Sequence, residues 1–239
     1  MTSRVKVGCC GFPKARNKYF QQFNLVEMQQ TFYKPPSIES ATKWRKEAPE
    51  DFEFSLKAWQ LITHQASSPT YRKAGLQIPS EREKHCGFFK PSEEVFEAWE
   101  KTRDIAQALR AKVIVFQCPA KFTETSENTG NMRHFFTNID RRYFIFVWEP
   151  RGERDEEIIK ALCSDLDLVH CVNPLERQAL YGEVGYFRLH GGRDYRHRYT
   201  DNELGSLSEP NQEGAYPLFN NVSMYNDALR FKELIENKE

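Results

Sequence analysis

Short apolar runs that each stop at a polar side chain recur along the whole chain. They occupy residues 5–10, 23–29, 52–57, 113–118, 144–149, 167–171, 184–190 and 215–221. Runs of this length, rich in Val, Ile and Phe, read as strands buried on both faces, where no polar alternation is needed. Between them the period becomes helical. The clearest helix opens at Pro91-Ser92, with Ser92 as the predicted cap and Glu93 and Glu94 at the positive end of the dipole. Val95, Phe96, Trp99, Thr102, Ile105, Ala106 and Leu109 then fall three or four apart, on one face. Shorter helices are predicted near 37–47, 126–139, 154–163 and 223–237, the first behind Pro35-Pro36-Ser37.

Strand and helix in alternation imply parallel pairing through right-handed crossovers. About eight strands and no Gly-x-Gly-x-x-Gly fingerprint favour a closed (β/α)8 TIM-barrel-like fold over an open doubly wound sheet. The 239 residues fit a single domain over 1–239. One stretch breaks the rhythm. Residues 60–90, after the third strand, are rich in Ser, Pro, Lys and Arg, and predict a substrate-side loop carrying Arg72, Lys73, Arg82, Lys84 and His85.

Charge and composition narrow the function classes. With 34 basic and 34 acidic side chains the formal charge is zero, so the chain as a whole offers no field for a polyanion or an acidic membrane. Any phosphate or nucleic-acid site must be local. No apolar stretch approaches the roughly 20 residues of a membrane helix, and the amino terminus has no signal-peptide core, so a cytoplasmic location is expected. Four of the six cysteines (Cys9, Cys10, Cys118 and Cys171) sit in or at the ends of apolar runs and read as reduced, buried thiols. There is no C-x-x-C pair, which argues against structural zinc.

Several blocks together carry a resemblance. Val26-Glu27-Met-Gln29-Gln-Thr-Phe32-Tyr33 with Pro36-Ser37 and Trp44 is one. Phe54-Ser-Leu-Lys57 with Thr63-His64, Phe116-Gln117-Cys-Pro119, Glu149-Pro-Arg151, Tyr186-Phe-Arg188-Leu-His190-Gly191 and Phe219-Asn220-Asn221 follow. In this order they resemble the YecE-like proteins, domain of unknown function 72, over nearly the whole chain. The resemblance implies a TIM-barrel-like fold related to endonuclease-IV-type and sugar-isomerase barrels, and it implies no reaction. Two departures stand out: no His follows Arg151, and Asn173 stands before Pro174 where the family pattern leads one to expect Asp.

In a parallel barrel the strand carboxyl ends share one face, where the chemistry of such enzymes is done. Glu27, Lys57, Glu149 and His190 are the candidate catalytic set, since carboxylates near a Lys and a His supply an acid and a base. Glu27, Glu149 and His190 are also the candidate ligands of one divalent metal ion. Gln29, Tyr33, Gln117, Arg151 and Arg188 are the candidate substrate contacts around them. The loop after the seventh run, Gly191-Gly192-Arg193-Asp-Tyr195-Arg196-His197-Arg198-Tyr199, supplies Arg193, Tyr195 and Arg196 for a phosphate or a stacked base, with Asn220 and Asn221 beside it.

Three readings follow. The first is a hydrolase acting on a phosphoester or nucleic acid through the strand-end carboxylates. The second is a non-catalytic nucleic-acid or nucleotide binding protein that uses the basic loop. The third is a sugar isomerase or lyase in which Lys57 forms a Schiff base.

Overall fold

The computed structural model of the chain describes residues 5–192, 194–207 and 214–237. Eight strands, β1 (Gly8–Cys10), β2 (Leu25–Met28), β3 (Glu53–Lys57), β4 (Val113–Cys118), β5 (Ile145–Pro150), β6 (Val169–His170), β7 (Tyr186–Leu189) and β8 (Tyr216–Phe219), form one sheet. Its order is β6-β5-β4-β3-β2-β1-β8-β7, and all the pairings are parallel. A lone parallel bridge between Val172 and Phe187 joins the two ends, so the sheet is a nearly closed barrel. Each strand falls within its apolar run except β5, which extends one residue past it to Pro150, and most are shorter than the run. β1 keeps only the last three residues of its run and β6 only two.

The helices are α1 (Arg16–Phe20), α2 (Gln30–Tyr33), α3 (Ile38–Glu47), α4 (Gln60–Thr63), α5 (Pro69–Lys73), α6 (Ser80–Glu83), α7 (Glu93–Leu109), α8 (Ser126–Asn138), α9 (Glu156–Leu166), α10 (Asp201–Leu207) and α11 (Met224–Glu236). Two apolar layers result. Inside the barrel Leu25, Val113, Val115, Val147, Tyr186 and Leu218 meet. Between strands and helices lies an aromatic layer in which Trp99 of α7 packs edge-on against Phe146 of β5 at 5.4 Å, and Phe116 packs against Phe135 at 5.9 Å. This layer buries the α7 face read from the sequence. No helix follows β6. An irregular segment lies against that strand instead, with the Tyr181 carbonyl accepting from His170 N at 2.9 Å.

Two local expectations are corrected. Ser37 caps α3, accepting from Ser40 N, but Ser92 does not cap α7 with its side chain. Its hydroxyl donates to the His85 carbonyl at 2.6 Å and so ties down the preceding insertion. Nor is 60–90 a simple loop: it holds α4, α5 and α6, and Phe88 and Phe89 are buried under it. Gly87 N and Phe89 N donate to the carbonyls of Leu61 and Ile62, which folds the end of the insertion onto its beginning. Arg82, expected on the substrate side, pairs with Glu94 at 2.9 Å and Glu97 at 3.3 Å on the first turns of α7.

Candidate functional site

Side chains alternate across a strand, so on β7 Tyr186 and Arg188 share the inner face, and His190 follows two residues on. Glu27 of β2, Ser55 and Lys57 of β3, Gln117 of β4 and Glu149 of β5 come to the same end. Arg188 is the hub. Its Nη2 lies 3.0 Å from Glu27 Oε1, while its Nη1 donates to Glu149 Oε2 and lies 3.4 Å from Gln117 Oε1. The guanidinium is 1% exposed. Burial alone would lower its pKa, but Glu149 and Glu27 outweigh that and hold it well above the usual value. For Glu149 burial raises the pKa, while Arg188 and Arg151 outweigh it and keep the carboxyl well below the carboxylate range.

Glu27 is saturated with donors. Besides Arg188, the Tyr186 hydroxyl donates to its Oε2 at 2.8 Å and the Gln29 amide to its Oε1. The Ser55 hydroxyl sits 2.9 Å from the Tyr186 oxygen behind it. Glu149 reaches the rim. His190 Nε2 is 2.9 Å and Arg151 Nε 3.0 Å from its Oε1. Burial lowers the His190 pKa, so the ring is held neutral. Its Nε2 faces both an acceptor, Glu149, and a donor, Arg151 Nη2 at 2.8 Å, and Nδ1 meets the Asn220 amide at 3.1 Å. With the Asn220 amide nitrogen at Nδ1 and a Glu149 oxygen at Nε2, the neutral ring carries its proton on Nε2 and donates it to Glu149.

Lys57 stands apart. It is 4% exposed, its Nζ donates to Gln117 Oε1 at 2.7 Å, and it lies 4.0 Å above the Phe32 ring. No carboxylate among the described residues lies within ion-pair distance of it. Burial first, and then the neighbouring Arg188, push its pKa down from 10.5 to about 7. One acceptor suits a neutral amine and leaves an ammonium with unsatisfied donors.

The remaining candidates divide. Gln29, Gln117, Arg151 and Asn220 border the group just described. Tyr195 joins them from the loop after β7. It has a left-handed backbone (φ 63°), is 43% exposed, and packs edge-on against His190 at 5.5 Å. Arg196 is exposed on the same loop, and Arg193 lies outside the described residues. Asn221 is corrected from ligand contact to scaffold. It is buried, and its amide donates to the His197 carbonyl and to Asp227, both at 2.7 Å, holding the loop. Tyr33 packs edge-on against Phe32, one layer behind Lys57. The metal set Glu27, Glu149 and His190 is corrected too. Among the described residues no three His, Cys, Asp or Glu side chains are arranged to hold an ion. The guanidinium of Arg188 lies between the two carboxylates where a cation would be needed.

Sequence reading missed Tyr186 and Ser55. Side chains two apart share a strand face, so Tyr186 sides with Arg188 and Ser55 with Lys57, and that period, which the reading of run ends did not use, was the available signal.

Fold and site together define a (β/α)8 barrel whose carboxyl end closes over an arginine-centred ion cluster beside a lysine without a carboxylate partner. The chain belongs to the family described as "Protein of unknown function DUF72", which matches residues 13–238. It is 29% identical over 260 residues to the UPF0759 protein YunF of Bacillus subtilis (strain 168), covering 93% of this chain and 86% of that one. A crystal structure of a DUF72 family protein from Enterococcus faecalis V583 superposes with a TM-score of 0.72 at 19% identity, covering 98% of both chains. D-allulose 3-epimerase from Methylomonas sp., solved with D-allulose, superposes with a TM-score of 0.57 at 11% identity over 99% of this chain and 98% of that one, a likeness of fold alone. Among the described residues no helix is long and apolar enough to cross a membrane.

Proposed function

We propose that this protein is an enzyme that acts on a small carbonyl compound through the amine of Lys57, as a lyase or isomerase. The observation that carries this reading is the setting of Lys57 itself: buried at a strand's carboxyl end, hydrogen-bonded to one amide oxygen, and next to a second cation. Desolvation and a neighbouring cation are what turn a lysine into a nucleophile or base near neutral pH. The carboxylates are less suited to lead the chemistry. Arg188 engages both of them, and the depressed pKa of Glu149 makes it a weak base. That argues against the phosphoester hydrolase, in which Glu27 or Glu149 would activate water. His190, neutral and hydrogen-bonded to Glu149 at the rim, fits a proton-transfer role in the same cluster.

The test is reductive trapping. Incubation with a panel of aldehydes, ketones and oxo acids under borohydride should add the fragment of at least one carbonyl compound to Lys57 ahead of the other lysines, located by peptide mass spectrometry, and Lys57→Met should lose that fast labelling. A panel that leaves Lys57 unmodified sinks the reading.

A second reading, a barrel that binds a nucleotide or nucleic acid, has one observation in its favour. Tyr195, half exposed and packed on His190, brings its basic loop to the rim, where the ring can stack on a base and Arg196 can meet a phosphate. Salt-dependent oligonucleotide binding that weakens in Arg196→Ala supports it, and the absence of such binding at moderate salt removes it.

A further inference from the structure

We infer that the carbonyl compound handled by Lys57 carries a single negative charge beside its carbonyl, as a 2-oxo acid does, and that Arg151 holds that charge. This rests on the reading of Lys57 given above. Charge balance among these groups leads to it. Around the amine, Glu27 and Glu149 are matched by Arg188 and Arg151, two anions against two cations. With Lys57 neutral the cluster sums to zero.

Imine formation upsets that balance. The amine nitrogen forms a bond to the carbonyl carbon, and the carbon–oxygen bond breaks. The oxygen leaves as water with the two amine protons, and a proton from solvent remains on nitrogen in the iminium. No oxidant or reductant is needed, but a positive charge is now fixed at a position 4% exposed and close to the Arg188 guanidinium. A buried, uncompensated cation is costly. A monoanionic substrate restores neutrality. An uncharged sugar leaves the excess cation, and a phosphate dianion overshoots to an excess anion.

Groups to hold such an anion are at the rim. Arg151 follows β5 directly, and its side chain is 32% exposed, whereas Arg188 is sealed. Its Nη2 is engaged by His190 and its Nε lies 3.0 Å from Glu149 Oε1 without making a hydrogen bond, so that Nε and Nη1 both lack a hydrogen-bond partner among the described residues. The Gln117 amide, whose oxygen accepts from Lys57, likewise has its NH2 end unpartnered among the described residues. A guanidinium N–H and an amide N–H flanking the lysine can take the two oxygens of a carboxylate while its 2-oxo carbon meets Nζ. His190, held neutral, adds no charge to this count.

The experiment compares three carbonyl probes on the intact protein: pyruvate, a monoanion; hydroxyacetone, uncharged; and dihydroxyacetone phosphate, a dianion. Each is added with cyanoborohydride, and the rate of labelling at Lys57 is followed by mass spectrometry. Pyruvate should label at least tenfold faster than either alternative. Arg151→Met should shrink that preference at least tenfold. Equal rates for pyruvate and hydroxyacetone, a preference that Arg151→Met leaves intact, or fastest labelling by the dianion each overturn the inference while leaving Lys57 as the nucleophile. Thermal stabilisation by pyruvate without reductant separates the two claims from the other side. If no probe labels Lys57 but pyruvate raises Tm in the unaltered protein and not in Arg151→Met, the anion site stands and the lysine chemistry falls. If there is neither labelling nor stabilisation, both fall.

Discussion

The two ends of the barrel bury acids in opposite ways. At the amino end Glu53, the first residue of β3, is 5% exposed, yet its cations come from solvent: Lys6, whose side chain is 31% exposed, and Lys112, at 3.2 Å and 58% exposed. At the carboxyl end the cation is itself buried. Arg188 lies between Glu27 and Glu149, and Lys57 beside it has no acid within ion-pair distance among the described residues. Flexible lysines folding over one acid are an inexpensive way to close a barrel, since their hydration is largely kept. A guanidinium desolvated between two carboxylates is rarely a net gain over apolar packing, and a lone buried amine never is. The carboxyl end therefore carries a cost in stability that the amino end does not, and that cost is what the proposed lysine chemistry would use.

The largest effect should come from removing the hub. Arg188→Met leaves two buried carboxylates without their shared cation, and breaking a buried pair in this way costs about 3–5 kcal/mol. Urea denaturation should record that loss. The same substitution placed on a Glu27→Gln, Glu149→Gln background should cost much less, because no uncompensated charge remains. A loss below about 1 kcal/mol in the single variant would mean that the carboxylates are solvated or protonated, and that the contrast between the two ends is false.

Lys57 gives the next largest effect, with the opposite sign. Its pKa falls from 10.5 in the unfolded chain to about 7 in the fold. Between those values the unfolded chain holds more protons than the folded one, so stability rises with pH across that window. The penalty is full at and below about pH 7 and fades toward pH 10.5. Lys57→Met should therefore stabilise the protein by roughly 2–4 kcal/mol at pH 7, at about 1.4 kcal/mol per pH unit of displacement less some packing loss, and by little at pH 10. Denaturation curves at the two pH values decide it. A gain that does not change with pH would be a packing effect and not a charge effect.

The sequence disclosed the frame of this contrast better than its wiring. Apolar runs mark the strands because both faces of a parallel barrel strand are covered, and each run ends near the residue that faces the mouth. Glu27, Lys57, Glu149 and His190 were legible as strand-end residues for that reason. That Arg188 takes both carboxylates and leaves Lys57 none depends on stagger around the barrel, Cys10 beside Glu27 and Gln117 beside Glu149, which no single run contains. The scaffold role of Asn221 was hidden similarly, since its partners His197 and Asp227 lie on the loop after β7 and at the start of α11. The compactness of 60–90 rests on left-handed backbone at Phe88 and Phe89 (φ 56° and 54°), a conformation that phenylalanine gives no reason to expect.

The smallest effect belongs to the amino end, and it is the control for the other two. Burial pushes the Glu53 carboxyl up, but Lys6, Tyr216 and Lys112 outweigh it, so its pKa in the fold lies below the ordinary carboxylate value of 4.5. Its contribution is therefore complete above about pH 4.5 and is lost as pH falls through the folded value, the reverse of the Lys57 window. Because both lysines keep much of their hydration, Glu53→Gln should cost only about 1 kcal/mol at pH 7. That cost should shrink in high salt, which screens exposed partners and hardly reaches Arg188. Glu53→Gln should also leave carbonyl trapping at Lys57 as it is in the unaltered protein, since the inner apolar layer of Leu25, Val113, Val115 and Leu218 separates the two ends. A salt-insensitive loss of several kcal/mol would make the two ends alike and erase the contrast between them.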